Sequence, residues 1–291
     1  MPDDLMSQAR LRRRALPGRG PGEMAIMDFG PPERPVDAVF LHANGFNANT
    51  YRAILAPLGA GFRLLAVDQR GHGLTSLLAI PDGRADWLDL RDDLLALLDA
   101  ENLEGVILTG HSMGATASLL AAAVSSRARS LVLFDPVILE EPIPGGGASS
   151  PMVQGALRRR ARFASRDEAF AAYRGRGAFR TWPEETLSDY LETGLTEDSA
   201  GGLTLACAPA WEAANYAAQG HDSRAALRAC QAPIRILTAE VGSTCRLKSG
   251  PGLAAQAPQL RVETVAGTTH FLPMERPDLV REALSAAIGT P

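Results

Sequence analysis

The run Gly110-His111-Ser112-Met113-Gly114 sits between two segments of opposite character, and that placement constrains the fold more than anything else in the chain. Before it, Val106-Ile107-Leu108-Thr109 reads as a buried strand. After it, Met113–Val124 is rich in Ala and Leu with almost no polar face, the pattern of a helix buried on all sides. A strand that passes through so short a turn into a helix holds the serine in strained backbone angles. Side chains two residues to either side would collide with neighbouring backbone, which accounts for the glycines. The product is an exposed Oγ at the tip of a sheet, over a helix N-terminus that favours developing negative charge. A serine placed only to cap a helix would not need glycine on both sides.

The flanking pattern supplies the rest of the sheet. Strands are expected at Met24–Phe29, Asp37–His42, Arg63–Asp68, Gly105–Thr109 and Ser130–Asp135, and again at Pro233–Ala239 and Leu260–Val265. Helical spacing marks Arg84–Ala100, with Trp87, Leu90, Leu94, Leu97 and Leu98 on one face, and Pro277–Ile288 closes the chain. Alternating strands and helices argue for a mostly parallel sheet flanked by helices. From about Val137 to Gln219 the strand runs stop. A Pro/Gly connector, residues 142–147, leads into helical patterns at Met152–Phe163, Asp167–Tyr173, Pro183–Leu191 and Pro209–Ala218. The expected organisation is a core of residues 20–136 and 220–291, an all-helical insertion at 137–219, and a flexible N-terminal arm at 1–19.

Charge and composition narrow the partners. A formal net charge of −4 argues against nucleic acid, which calls for a basic surface. The three cysteines, Cys207, Cys230 and Cys245, fit neither a disulfide framework nor a zinc site by count and spacing, and point to a reducing cytoplasm. No stretch approaches the roughly 18 apolar residues of a membrane span. The arginines at 10 and 12–14 are followed by no apolar run, so a signal peptide is not expected.

Four landmarks now stand in order: Leu41-His42-Ala43-Asn44-Gly45-Phe46, Asp68-Gln69-Arg70-Gly71-His72-Gly73, Gly110–Gly114 and Gly267-Thr268-Thr269-His270-Phe271. With Gly-x-Ser-x-Gly in its strand–turn–helix context, the chain resembles the α/β-hydrolase superfamily over essentially its whole core. The resemblance implies the α/β-hydrolase fold, with the insertion as its cap, and a nucleophilic Ser112. It implies one oxyanion donor at the N–H of Met113 and another in the loop after the third core strand. Relatives commonly carry His-Gly-x there; this chain has His42-Ala43-Asn44-Gly45, so Asn44 is chosen and Gly45 is the fallback. Of five histidines, His270 alone leaves the sheet in a loop after the insertion, where the chain order Ser…Asp/Glu…His puts the base. His42 reads as a structural hydrogen-bonder.

The acid departs from the family pattern. Its usual place, after the strand Pro233–Ala239, is occupied by Gly242, and Glu240 is offset by two residues. The other family position is the end of the strand before the insertion, where Asp135 stands ahead of Pro136; Asp135 is favoured and Glu240 is the alternative. Serine at the elbow points to attack on an ester carbonyl and an acyl-enzyme cleaved by water, with no metal and no cofactor. The expected substrates are small to medium apolar esters or lactones. Carbon–carbon hydrolysis of ring-cleavage products is the alternative, and an idle ligand-binding member is the third reading. Trp182, Trp211, Tyr173, Tyr190, Phe163, Phe170 and Phe179 are expected to be packed within the insertion more than to line a pocket.

Overall fold

In a computed structural model of the chain, which describes residues 9–143, 150–247 and 257–289, eight strands form one twisted sheet. The strands are β1 (Arg10–Ala15), β2 (Glu23–Phe29), β3 (Ala38–Leu41), β4 (Leu64–Val67), β5 (Val106–His111), β6 (Ala128–Phe134), β10 (Ile234–Val241) and β11 (Leu260–Thr269). Their order is β1-β2-β4-β3-β5-β6-β10-β11. β2 runs antiparallel to both its neighbours, and every pairing from β4 to β11 is parallel.

β3, β4 and β5 are buried along their whole length, which is why they read as unbroken apolar runs and not as alternating ones. Successive side chains serve opposite faces. Val39, Leu41, Leu65 and Val67 join the helices Leu88–Ala100 and Met113–Ala122 in one cluster. Ala38, Phe40, Leu64 and Ala66 join the closing helix Pro277–Gly289 in the other. The helix expected from Arg84 begins at Leu88, because the Asp86 carboxylate takes the Leu88 N–H at 2.9 Å and Arg84 is turned to Asp89 and Asn215. No helix among the described residues is long and apolar enough to cross a membrane.

Two expectations are corrected. The arm is not flexible from residue 10 onward: Arg10–Ala15 is the edge strand β1, paired with β2 from Arg10↔Asp28 to Ala15↔Glu23. Its arginines are anchored from a distance in sequence. Arg10 and Arg12 meet Asp28 at 2.9 and 3.2 Å, and Arg12 and Arg14 both meet Glu101. Residues 1–8 of the expected arm lie outside the described residues.

The insertion between β6 and β10 is not all helical. Between residues 137 and 219 its described residues hold four α-helices, Pro151–Leu157, Arg166–Tyr173, Glu184–Gly194 and Pro209–Ala217, and a 3-10 turn at Gly177–Phe179. It also holds a three-stranded antiparallel sheet of β7 (Arg162–Phe163), β8 (Leu195–Glu197) and β9 (Leu203–Leu205). The helix expected to run to Phe163 therefore stops at Leu157. The missed signal is a hairpin: two short alternating runs joined across Gly201-Gly202, both at positive φ. Pro144–Gly147 of the expected connector lies outside the described residues.

Candidate active site

β5, an interior strand, delivers Ser112 at its C-terminal end. The residue has φ 55° and ψ −118°, a conformation that costs an L side chain strain, and the helix Met113–Ala122 starts immediately after it. The two flanking glycines are required by contact. A Cβ on Gly110 would lie 2.6 Å from the Leu41 carbonyl oxygen, and one on Gly114 would lie 2.3 Å from that oxygen and 2.5 Å from the His42 carbonyl oxygen.

β11 delivers His270, whose Nε2 lies 3.0 Å from Ser112 Oγ. The loop behind it is braced by Glu275, which accepts the Thr269 N–H and hydroxyl, each at 2.7 Å. His270 Nδ1 lies 2.6 Å from Asp135 Oδ2. Asp135 follows β6 in a left-handed conformation, φ 42°, and has no exposed surface. Its Oδ1 accepts the Ala239 N–H at 2.9 Å and the Ser243 hydroxyl at 2.5 Å, and Oδ2 accepts the Thr244 N–H at 3.1 Å. Burial alone would favour the neutral acid. The hydrogen bonds from His270, Ser243 and Ala239 outweigh it and hold the carboxyl below its ordinary range, hence ionised.

The other acid candidate is not brought to the histidine. Glu240 is exposed, and its carboxylate accepts the Gly267 N–H at 2.9 Å across the register shift between β10 and β11. Ser243 and Thr244 were not anticipated. The loop in which Gly242 replaces a carboxylate still serves the acid, because Gly242, at φ 67°, turns the chain so that the next two residues face Asp135. A Ser-Thr pair after a glycine is too common a pattern to have signalled this.

Above Ser112, the loop after β3 holds three N–H groups in a row. That of Ala43 goes to the Tyr51 hydroxyl at 3.2 Å, and that of Gly45 to His72 Nε2 at 3.1 Å. The fallback donor is therefore engaged elsewhere. The N–H of Asn44 has no partner among the described residues. Met113 opens its helix, so its N–H has no carbonyl one turn earlier to meet. His42 braces the same loop from below, with Nε2 accepting the Gln69 N–H and Nδ1 donating to the Ala43 carbonyl. The Asn44 side chain is tied to the insertion: it donates to the Glu212 carbonyl and accepts from Asn215 Nδ2, each at 2.9 Å.

Ser112, Met113, Asn44 and His270 open on a cavity of about 760 Å³ between sheet and insertion. Of the insertion's expected aromatics only Phe179 reaches it among the described residues. Trp182, Tyr173 and Tyr190 pack around Phe179 with ring centroids 4.9, 4.7 and 5.3 Å away. The cavity's other rings are Phe46, Trp87, Tyr216 and Phe271, three of them outside the insertion. Two arginines also line it. Arg159 is paired with Glu212 at 2.8 Å, whereas Arg246 has no acidic partner among the described residues.

Four of the five histidines are buried, and burial pushes each down: His42 well below its ordinary value of 6.5, His72 and His221 to about 4, His111 to about 3. Below 6.5 the unfolded chain binds protons that the folded chain refuses. Their stabilisation is thus complete above about pH 6.5 and is lost as pH falls toward 4. Asp68, raised to about 6 by burial, works in the opposite direction, as do Asp89 and Asp189, which burial also raises, so three carboxyls stand against four histidines. The urea midpoint should fall between pH 7 and pH 5; a flat or rising midpoint would contradict this balance.

Comparison with known proteins agrees with the fold. The chain is 26% identical over 253 residues to 2-(acetamidomethylene)succinate hydrolase from Mesorhizobium japonicum, covering 85% of this chain and 86% of that protein. A crystal structure of E-2-(acetamidomethylene)succinate hydrolase superposes with a TM-score of 0.78 at 24% identity, covering 97% of this chain and 99% of the other. The enol-lactonase from Burkholderia xenovorans superposes with a TM-score of 0.68 at 17% identity, covering 95% and 99%. Residues 38–283 match the alpha/beta hydrolase family, and the chain is a member of that family.

Proposed function

We propose that this chain is a serine hydrolase that cleaves carboxylic esters and lactones through an acyl-enzyme. The observation that carries the reading is the unbroken line from Ser112 Oγ through His270 to an ionised, fully buried Asp135, at the floor of a largely apolar cavity. Asp135 holds His270 with its proton on Nδ1, leaving Nε2 to take the Ser112 proton as Oγ attacks the carbonyl carbon. The oxygen of the tetrahedral intermediate is received by the N–H groups of Met113 and Asn44. Collapse expels the alcohol, which leaves with the proton from His270. Water then repeats the sequence on the acyl-enzyme, releasing the acid and regenerating Ser112. The insertion acts as the cap that screens these charges from bulk water.

A fluorophosphonate probe and a panel of p-nitrophenyl esters of graded acyl length test the proposal. Wild type should be labelled and should hydrolyse at least part of the panel, and Ser112→Ala should do neither. An unlabelled wild type would favour the idle ligand-binding reading. A ring-fission diketone turned over faster than any ester would replace the ester reading by the carbon–carbon one.

Arg246 and the succinate-hydrolase relative favour a narrower reading, in which the substrate bears a carboxylate. Arg246, an exposed residue lining the cavity with no acidic partner among the described residues, would supply a charge-assisted donor for such a group. Arg246→Ala should raise KM for a succinate monoester about tenfold more than for a neutral ester of the same length, the loss expected of one hydrogen bond to a charged group. Equal changes in KM for the two esters would remove this narrowing.

A further inference from the structure

Two buried groups beside Ser112 have no role in that scheme: the imidazole of His111 and the hydroxyl of Tyr51. Neither residue has exposed surface. Tyr51 ends a short 3-10 turn, Ala48–Tyr51, whose start is fixed by a reciprocal Asn47–Thr50 cap. Its hydroxyl oxygen lies 2.7 Å from His111 Nδ1 and accepts the Ala43 N–H at 3.2 Å. The other ring nitrogen, His111 Nε2, lies 2.7 Å from the His270 carbonyl oxygen.

The protons in this line have one possible arrangement with the imidazole neutral. A carbonyl oxygen can only accept, so Nε2 carries the proton. Nδ1 is then an acceptor, the Tyr51 hydroxyl must donate to it, and the phenol oxygen keeps a lone pair for Ala43. Burial, then the charge of neighbouring His270, push His111 down to about 3, so the neutral form persists throughout the neutral pH range. One end of the line is the backbone of His270, and the other is the residue before Asn44.

We propose that Tyr51 and His111 form a positioning relay that ties the His270 backbone to the loop after β3 and keeps the base and the oxyanion donors in register during turnover. This rests on the serine-hydrolase reading. The His270 ring must serve first Ser112 Oγ and then the leaving-group oxygen from one backbone anchor. A displacement of about 1 Å at such a site costs on the order of 100-fold in rate. Two short bonds in a dry interior hold that anchor more tightly than bonds shared with water.

The test pairs kinetics on a p-nitrophenyl ester with the downfield proton resonance of the His270 Nδ1–H to Asp135 bond. Tyr51→Phe should lower kcat by about 10- to 100-fold, with KM within about twofold, and should shift or broaden that resonance. His111→Gln keeps an N–H for the His270 carbonyl and should retain at least about ten times the kcat of His111→Phe. A folded Tyr51→Phe with kcat within twofold of wild type and an unmoved resonance overturns the relay. If Tyr51→Phe does not fold, equal kcat values for His111→Gln and His111→Phe overturn it. An inert wild type would remove the hydrolase reading itself, whereas an active wild type with silent variants removes the relay alone.

Discussion

Exchanging Asp135 for Asn should lower kcat on a responsive ester by about four orders of magnitude with little change in fold, the loss typical of a triad whose histidine is left in the wrong tautomer. An Asn side chain at this position offers its N–H₂ to His270 Nδ1, now 2.6 Å from Oδ2, and that nitrogen must then become the acceptor. The ring proton moves to Nε2, and Nε2 can no longer receive the Ser112 proton. The volume is unchanged, and the Ala239 N–H and Ser243 hydroxyl still meet the oxygen in the Oδ1 place, although the Thr244 N–H, which donates to Oδ2, loses its acceptor. Glu240→Gln makes the contrast, because the carboxylate it replaces serves Gly267 and faces solvent. Measured side by side with circular dichroism as the check on folding, Glu240→Gln should stay within about twofold of wild type, the range left when no transition-state contact is lost. A nearly silent Asp135→Asn would unseat Asp135 as the acid.

Gly114→Ala should cost about 3 kcal/mol or more of folding stability, at or above the upper end of what an added methyl costs in a packed core. The methyl would meet the carbonyl oxygens of Leu41 and His42 at 2.3 and 2.5 Å, and these belong to the backbone at the end of β3, not to a side chain that can swing away. Relief requires the helix Met113–Ala122 and β3 to part, which would also draw the Met113 N–H away from Ser112. Activity should therefore fall in the protein that still folds. Gly61→Ala, with nothing within 4 Å of its added Cβ, is the control and should move the urea midpoint little. Similar midpoints for both variants would show that the elbow is looser than its contacts imply.

What could be read from the chain before its structure was whatever local pattern encodes. β3, β4 and β5 announce themselves because strands buried on both faces are apolar throughout. The serine turn is legible because its glycines answer to steric contacts that fall at fixed spacing. His270 could be chosen by chain order, and Asp135 because Gly242 had emptied the alternative place. The illegible parts depend on partners far apart in sequence. An arginine-rich stretch resembles a solvated arm until Asp28 and Glu101 appear beside it, 16 and 89 residues from Arg12. Ser243 and Thr244 acquire meaning only once β10 lies against β6. The aromatic wall of the cavity was sought in the insertion, yet Phe46, Trp87 and Phe271 come from loops and a helix start of the core, where composition says nothing about which way a ring will face.

The two hydrogen bonds that link Asn44 to the insertion, one donated to the Glu212 carbonyl and one accepted from Asn215, have a practical consequence. In proteins of modular build, one segment is exchanged to alter what is bound while another is left alone to preserve speed. Here the segment that shapes the cavity also grips Asn44, the residue proposed to receive the substrate oxygen. An engineer who grafts a different insertion onto this sheet would detune turnover along with substrate scope, unless Asn44 is given two equivalent partners in the replacement.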